Sequence, residues 1–234
     1  MKIQGAIFDM DGTLINSLVL WDILWAEYGR RYCGGEPFSP STEDEQKIHT
    51  TTLHDGLGFI GRRYGLPADA DELTRVANEV FVDFYTNKLE PKPGAIELLE
   101  GLRKRGVRLC LASASTRDMV DLALTRCDMH KYFSRIFTCV EVGRDKSHPD
   151  IYLQAMAHLG TEQEATWVFE DAYTALCTAK RAGFHTVGVY EYEEVKAEEM
   201  QREAEIYIPR GARLDSVLPI LDALPDRTPE MAQH

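Results

Sequence analysis

Residues 6–17 read AIFDMDGTLINS: an apolar run, Ala6-Ile7-Phe8, leads straight into two aspartates, Asp9 and Asp11, and then a glycine. Carboxylates two residues apart in an extended chain lie roughly 6–7 Å from each other on one face, at about 3.3 Å per residue. Gly12 lets the backbone turn sharply behind them. Unpaired carboxylates are costly to bury, so a cation nearby would offset that cost. An aspartate ahead of a helix is commonly no more than an N-cap, and a lone D-x-D-G fits that reading as well. The ends of two further apolar runs change the balance. VRLCLAS (107–113) leads into ASAST, where Ser113, Ser115 and Thr116 offer hydroxyls and backbone N–H groups at a helix start, a natural cradle for phosphate. TWVFED (166–171) ends on a second carboxylate pair, Glu170 and Asp171. Such oxygen-rich groupings suit Mg²⁺, which binds one or two carboxylates together with waters and a substrate phosphate. Lys146 falls in a loop ahead of a helix starting near Pro149. Taken singly, it would be a solvated surface lysine. Amid several carboxylates, it is a compensating cation.

These residues need a scaffold that brings strand ends together. Four short apolar runs read as buried parallel strands: 3–9, 107–113, 166–171 and 185–190, with 135–139 and 205–208 as weaker candidates. Helical patterns separate them. In KPGAIELLEGLRKRG, Pro93 suits the first turn, Ala95, Leu98, Leu99 and Leu102 share one face, and Gly106 follows a basic last turn. PDIYLQAMAHLG and DAYTALCTAKRAG also end in glycine. This alternation predicts an α/β fold: a Rossmann-like open, mostly parallel sheet with right-handed crossovers and helices on both faces. Residues 17–88 break the pattern with helical stretches and no convincing strand, which predicts a small all-helical cap domain inserted after the first strand. The expected division is an α/β core of 1–16 and 89–225, a cap of 17–88, and a flexible tail of 226–234. Within the cap, GGEPFSPSTEDE reads as a loop.

Composition narrows the function classes. The 234 residues are 44% hydrophobic and 27% charged, ordinary for a globular protein, and the formal net charge of −12 argues against a nucleic-acid partner. A small phosphorylated partner stays compatible, because one pocket can be positive on an acidic protein. No run of about 18 apolar residues suggests a membrane span, and no signal peptide is evident. Five cysteines without a C-x-x-C spacing are expected to be reduced thiols in the cytoplasm, with Cys110 a small core residue.

FDMDGTL, LASAS, Lys146 and VFEDAYTALCTAKRAG resemble, in order and spacing, the four motifs of the haloacid dehalogenase superfamily of phosphohydrolases. The helical insertion resembles that superfamily's helical-cap subgroup, which includes β-phosphoglucomutase and phosphoglycolate phosphatase. The resemblance implies Asp9 as nucleophile, Asp11 as general acid/base, Ser113, Ala114 and Ser115 as the phosphate site, and Lys146 as the charge-balancing lysine. It further implies a Mg²⁺ cofactor held by Asp9, the backbone carbonyl of Asp11, and Asp171, with Glu170 a ligand or a group just behind one. The true dehalogenases lack an aspartate two residues after the nucleophile, so Asp11 favours phosphoryl transfer. Two positions depart from the pattern: Ala172 and Ala175 stand where the fourth motif usually carries serine and glycine. The expected activity is Mg²⁺-dependent hydrolysis of a small phosphorylated metabolite through an aspartyl-phosphate, by a monomer. A β-phosphoglucomutase-like sugar phosphomutase and a catalytically silent binding module are the alternatives. The mutase would need a cap arginine that IHTTTLHDG lacks. Closure of the cap over the site makes its polar residues His49, Thr52, His54 and Arg62 the specificity candidates. His54 and Arg62 also read as ordinary helix surface, and Trp21, Trp25 and Tyr28 as cap core.

Overall fold

Six short parallel strands form one sheet: β1 (Gly5–Phe8), β2 (Arg108–Ser113), β3 (Arg135–Thr138), β4 (Thr166–Glu170), β5 (His185–Val189) and β6 (Ile206–Ile208). A computed structural model supplies these coordinates and describes residues 3–17, 19–48, 51–191 and 196–224. The order across the sheet is β3-β2-β1-β4-β5-β6. β1 and β4 are buried along their whole length, which is why both read as unbroken apolar runs. Register places Ile7 between Cys110 and Val168, and Phe8 between Leu111 and Phe169. Alternate residues serve opposite faces. Ile7, Cys110, Ala112, Phe137 and Val168 pack with Ile151, Tyr152 and Ala155 of the helix Asp150–Leu159 and with Ala179 of the helix Tyr173–Arg181. On the other side Phe8, Leu111 and Phe169 are fully buried, and Phe8 stacks on Phe169 with ring centroids 4.2 Å apart. The helix Ala95–Lys104 lies against β2.

This order fixes where a ligand can sit. From β1 the chain steps outward through β2 and β3, then crosses back to β4 on the other side of β1. The crevice beyond the carboxyl ends of β1, β2 and β4 is therefore the switch point at which open α/β sheets bind ligands. Asp9, Ser113 and Glu170 all stand at those ends.

The chain divides into two compact units, Met1–Ser17 with Leu89–His234, and Leu18–Lys88. The second unit carries helices Val19–Tyr32, Thr42–Ile48, Leu53–Tyr64 and Ala70–Asp83, the last running on into a π-helical turn, Phe84–Lys88. Its core gathers Leu24, Trp25, Tyr28, Leu57, Ile60, Leu73 and Val76, with Trp21 packed at the edge. The Tyr28 hydroxyl donates to the Leu73 carbonyl at 2.7 Å, and Trp25 Nε1 donates to Glu45 Oε1 at 2.6 Å. The three aromatic side chains near the start of this unit are thus its packing.

Several boundaries differ from the sequence reading. The loop expected over 34–45 gives way to the helix Thr42–Ile48. Ser41 Oγ accepts from the Asp44 N–H at 3.2 Å, and Glu43, Asp44 and Glu45 fill the acidic first turn. Ser-Thr-Glu-Asp is a helix-start signal that the preceding glycines and prolines concealed. Pro93 lies outside its helix: Gly94, at φ 83°, precedes the first helical residue, Ala95. Cys139 opens the short helix Cys139–Val142 instead of ending β3. The expected tail 226–234 falls outside the described residues.

Candidate active site

Asp9 stands one residue beyond β1. Its N–H donates to the Phe169 carbonyl at 3.0 Å, extending the ladder with β4 by one step and fixing the direction of the side chain. Asp9 Oδ1 receives Lys146 Nζ, and the same ammonium donates to Glu170 Oε1 at 2.7 Å. That carboxylate oxygen also accepts the Tyr152 hydroxyl at 2.7 Å. Thr13 Oγ1 donates to Asp171 Oδ1 at 2.9 Å. Between Asp11 and Thr13 the chain turns tightly, with the N–H groups of Leu14 and Ile15 converging on the Met10 carbonyl. Gly12 takes φ +77°, and a Cβ there would lie 2.2 Å from Asp171 Oδ2. Both the backbone conformation and the space demand glycine. Ser113 is buried and its Oγ accepts the Ser115 N–H at 3.0 Å, while Ser115 Oγ donates to Asp11 Oδ2 at 2.8 Å. Ala114 is exposed between them.

Charge is concentrated here. Asp9, Glu170 and Asp171 are buried, and one carboxylate oxygen from each falls within 4.8 Å of the others. Burial pushes the Asp9 carboxyl well above its ordinary range; Lys146 pulls it back, and the carboxylates of Glu170, Asp171 and Asp11 push it further up. Burial, reinforced by Glu170, pushes Asp171 up to about 7, against the pull of Lys92, the Thr13 hydroxyl and Lys146. Burial works against the Lys146 charge, but Asp9 and Glu170 outweigh it and hold that ammonium above the ordinary lysine range. Lys146 alone leaves an excess of two negative charges when all three carboxyls are ionised. Asp9 Oδ2 is in addition buried without a hydrogen-bond partner. An orphaned anionic oxygen beside two converging carboxylates, all hard donors, fits a divalent cation such as Mg²⁺.

The sign of the pH dependence follows. A carboxyl raised on folding from 3.8 to about 7 opposes folding once pH exceeds its unfolded value, and the opposition grows until pH passes 7. A divalent cation held by the ionised form would remove that cost. Mg²⁺ should therefore raise the melting temperature by several degrees more at pH 8 than at pH 5.5 in paired thermal scans. Equal shifts at the two pH values would rule out this proton linkage.

Of the residues singled out in the sequence, Asp9, Lys146, Glu170 and Asp171 converge in one buried cluster, and Asp11, Ser113 and Ser115 form a hydrogen-bonded group at the end of β2. Thr52, His54 and Arg62 belong to the other unit, on or just before the helix Leu53–Tyr64. Thr52 is its N-cap, bonded to the N–H and carboxylate of Asp55, and His54 pairs on the surface with Asp71 at 3.0 Å. His49 lies outside the described residues. Sequence reasoning passed over Thr13, Tyr152 and Lys92. Thr13 directly follows D-x-D-G. Tyr152 sits on the apolar face of an amphipathic helix, where a buried phenol needs an acceptor. Lys92 Nζ donates to Glu191 Oε2 at 2.6 Å and to the Tyr190 carbonyl at 3.3 Å, tying the chain ahead of the helix Ala95–Lys104 to the end of β5. All five cysteines are free, and among the described residues no helix is long and apolar enough to cross a membrane.

An open parallel sheet with carboxylates, an ammonium and small hydroxyls at its switch point is an α/β architecture able to hold a cation and a phosphate together. The chain matches the haloacid dehalogenase-like hydrolase family over residues 6–189 and belongs to it. It is 26% identical to a phosphorylated carbohydrates phosphatase of Thermotoga maritima, covering 79% of this chain and 83% of that one. It is 30% identical to the validoxylamine A 7'-phosphate phosphatase of Streptomyces hygroscopicus subsp. limoneus, covering 82% and 88%. A solved Thermotoga maritima structure, provisionally named a beta-phosphoglucomutase, shares the fold with a TM-score of 0.79 at 23% identity, over 95% of this chain and 100% of that one. The relatives named as phosphatases act on phosphorylated compounds.

Proposed function

We propose that this protein is a Mg²⁺-dependent phosphatase that hydrolyses a small phosphorylated metabolite through an aspartyl-phosphate on Asp9. The observation that carries this reading is the meeting of Asp9 with Lys146, Glu170 and Asp171 at the end of the central strand. Asp9 attacks phosphorus and the bond from phosphorus to the leaving oxygen breaks. Asp11 gives that oxygen a proton, then accepts one from the water that hydrolyses the phosphorylated Asp9. Ser113, the Ala114 backbone and Ser115 cradle the phosphoryl oxygens. Lys146 lowers the repulsion between the nucleophile and the phosphate dianion. Asp9, Glu170, Asp171 and the Asp11 backbone carbonyl would hold Mg²⁺, which when bound supplies further neutralisation of that charge. The helical unit serves as the cap that selects the leaving group, with Thr52, His54 and Arg62 as candidates. Its free cysteines suit the reducing cytoplasm.

A panel of sugar phosphates, polyol phosphates and phosphoglycolate, assayed for free phosphate with Mg²⁺ and with a chelator, tests the reading. Release from at least one ester, abolished by the chelator, is expected. Conversion of a hexose 1-phosphate to its 6-phosphate with a trace of bisphosphate and little free phosphate would replace phosphatase with mutase. No turnover of any ester would replace both with a binding module.

A further inference from the structure

We propose that Tyr152 is a positioning residue whose hydroxyl fixes the Glu170 carboxylate for Mg²⁺ binding, a role that rests on reading Asp9, Glu170 and Asp171 as the metal site. The hydroxyl lies 2.7 Å from Glu170 Oε1, and both residues are shut off from solvent, Tyr152 at 0% and Glu170 at 1% exposure. A hydroxyl buried this deeply needs a protein acceptor, and Glu170 Oε1 is the one it has. Glu170 Oε1 has two donors of different character. Lys146 brings a compact ammonium on a flexible four-carbon stem and divides it between Glu170 and Asp9. A point charge shared between two carboxylates attracts Glu170 but does not set the orientation of its carboxylate plane.

Tyr152 brings a rigid ring. It is packed in the core cluster with Ile7, Ala112, Ile151 and Val168, and its ring lies edge-on to Phe184 at 6.3 Å between centroids. The helix Asp150–Leu159 starts four residues after Lys146 and carries the phenol beneath the cluster. One segment of chain thus delivers both donors, the lysine from its loop and the tyrosine from its first turn. Groups that hydrogen-bond to metal-binding carboxylates orient them, and their loss typically weakens metal affinity about 10–100-fold. Phenylalanine at 152 keeps the ring, its packing and the apolar cluster, and deletes only the donor.

The test is calorimetric titration of the whole protein with MgCl₂ in the absence of substrate, on wild type, Tyr152→Phe and Ile151→Val. Ile151 neighbours Tyr152 in the same helical turn and is buried in the same cluster, so its truncation loosens the same packing without touching Glu170. Tyr152→Phe should raise the Mg²⁺ dissociation constant about tenfold. It should raise the Mg²⁺ concentration for half-maximal phosphate release by a similar factor, with kcat at saturating Mg²⁺ within about twofold of wild type. Ile151→Val should leave the dissociation constant within about twofold even where its melting temperature falls. An unchanged dissociation constant for Tyr152→Phe overturns the positioning role and leaves the metal site standing. Equal weakening by Ile151→Val overturns it too, since packing alone would then explain the effect. Wild type that binds no Mg²⁺ overturns the metal site and the role together.

Discussion

Asp9→Asn is expected to lower turnover by on the order of 10⁴–10⁶-fold, the scale seen when a covalent nucleophile is removed, while the protein stays folded. The asymmetry follows from the burial of this carboxyl. Asn is nearly isosteric, its backbone N–H keeps the bond to Phe169, and its amide oxygen can still accept from Lys146. The amide nitrogen takes the place of Asp9 Oδ2, the oxygen without a protein partner. Burial already disfavours the charged form of Asp9, so neutralising it removes a desolvation cost and offsets the weakened pairing with Lys146. The melting temperature should stay within a few degrees of wild type and depend less on pH between 5 and 8. Stopped assays with phosphate detection, calibrated against thermal scans of the same preparation, check both halves. Turnover within tenfold of wild type would remove Asp9 from the proposed nucleophile position. A collapse in melting temperature would instead make it a structural residue.

Much of this arrangement was legible because the chemistry is local in sequence. Parallel strands buried on both faces leave short unbroken apolar runs, and all six were visible, down to the three residues of β6. Polar residues at strand ends cannot be explained by packing, so Asp9, Ser113 and the Glu170-Asp171 pair stood out against apolar neighbours. What escaped was relational. Tyr152 looks like an ordinary core aromatic until the structure brings Glu170 to its hydroxyl, 18 residues along the chain. Lys92 looks like a surface lysine until Glu191, 99 residues on, is seen buried against it. Thr42–Ile48 was hidden by glycines and prolines whose influence ended at Ser41. Ala172, where a hydroxyl was expected, has a local counterpart in Thr13, which supplies a hydroxyl to Asp171 from the opposite side of the sequence.

Lys146→Met is the second large effect, and here stability and activity should fall together. The Lys146 side chain is 11% exposed, and its ammonium stands between the Asp9 and Glu170 side chains, at 8% and 1%. Removing one partner of a buried ionic group strands the other charges, at a typical cost of about 3–5 kcal/mol. At roughly 2–4 °C per kcal/mol for a chain of this size, the metal-free variant should melt about 6–20 °C below wild type near pH 8. Met matches the length of the lysine stem, so lost packing contributes little. Asp9 and Asp171 are already raised, and without the lysine both rise further. A raised carboxyl opposes folding only where the unfolded chain would ionise it, so the deficit should shrink as pH drops from 8 toward 5. A divalent cation can substitute for part of the missing charge, so Mg²⁺ should restore more melting temperature to the variant than it adds to wild type. Turnover should not follow. With the ammonium gone, repulsion between Asp9 and the incoming dianion is no longer reduced from that side, and a loss of about 10³-fold is expected even at saturating Mg²⁺, the scale of a single electrostatic donor in an active site. Thermal scans at pH 5, 6.5 and 8, with MgCl₂ and with a chelator, separate these effects. A deficit that ignores both pH and Mg²⁺ would mean that Lys146 supports the fold by contact alone, and that the excess negative charge of this cluster is balanced elsewhere.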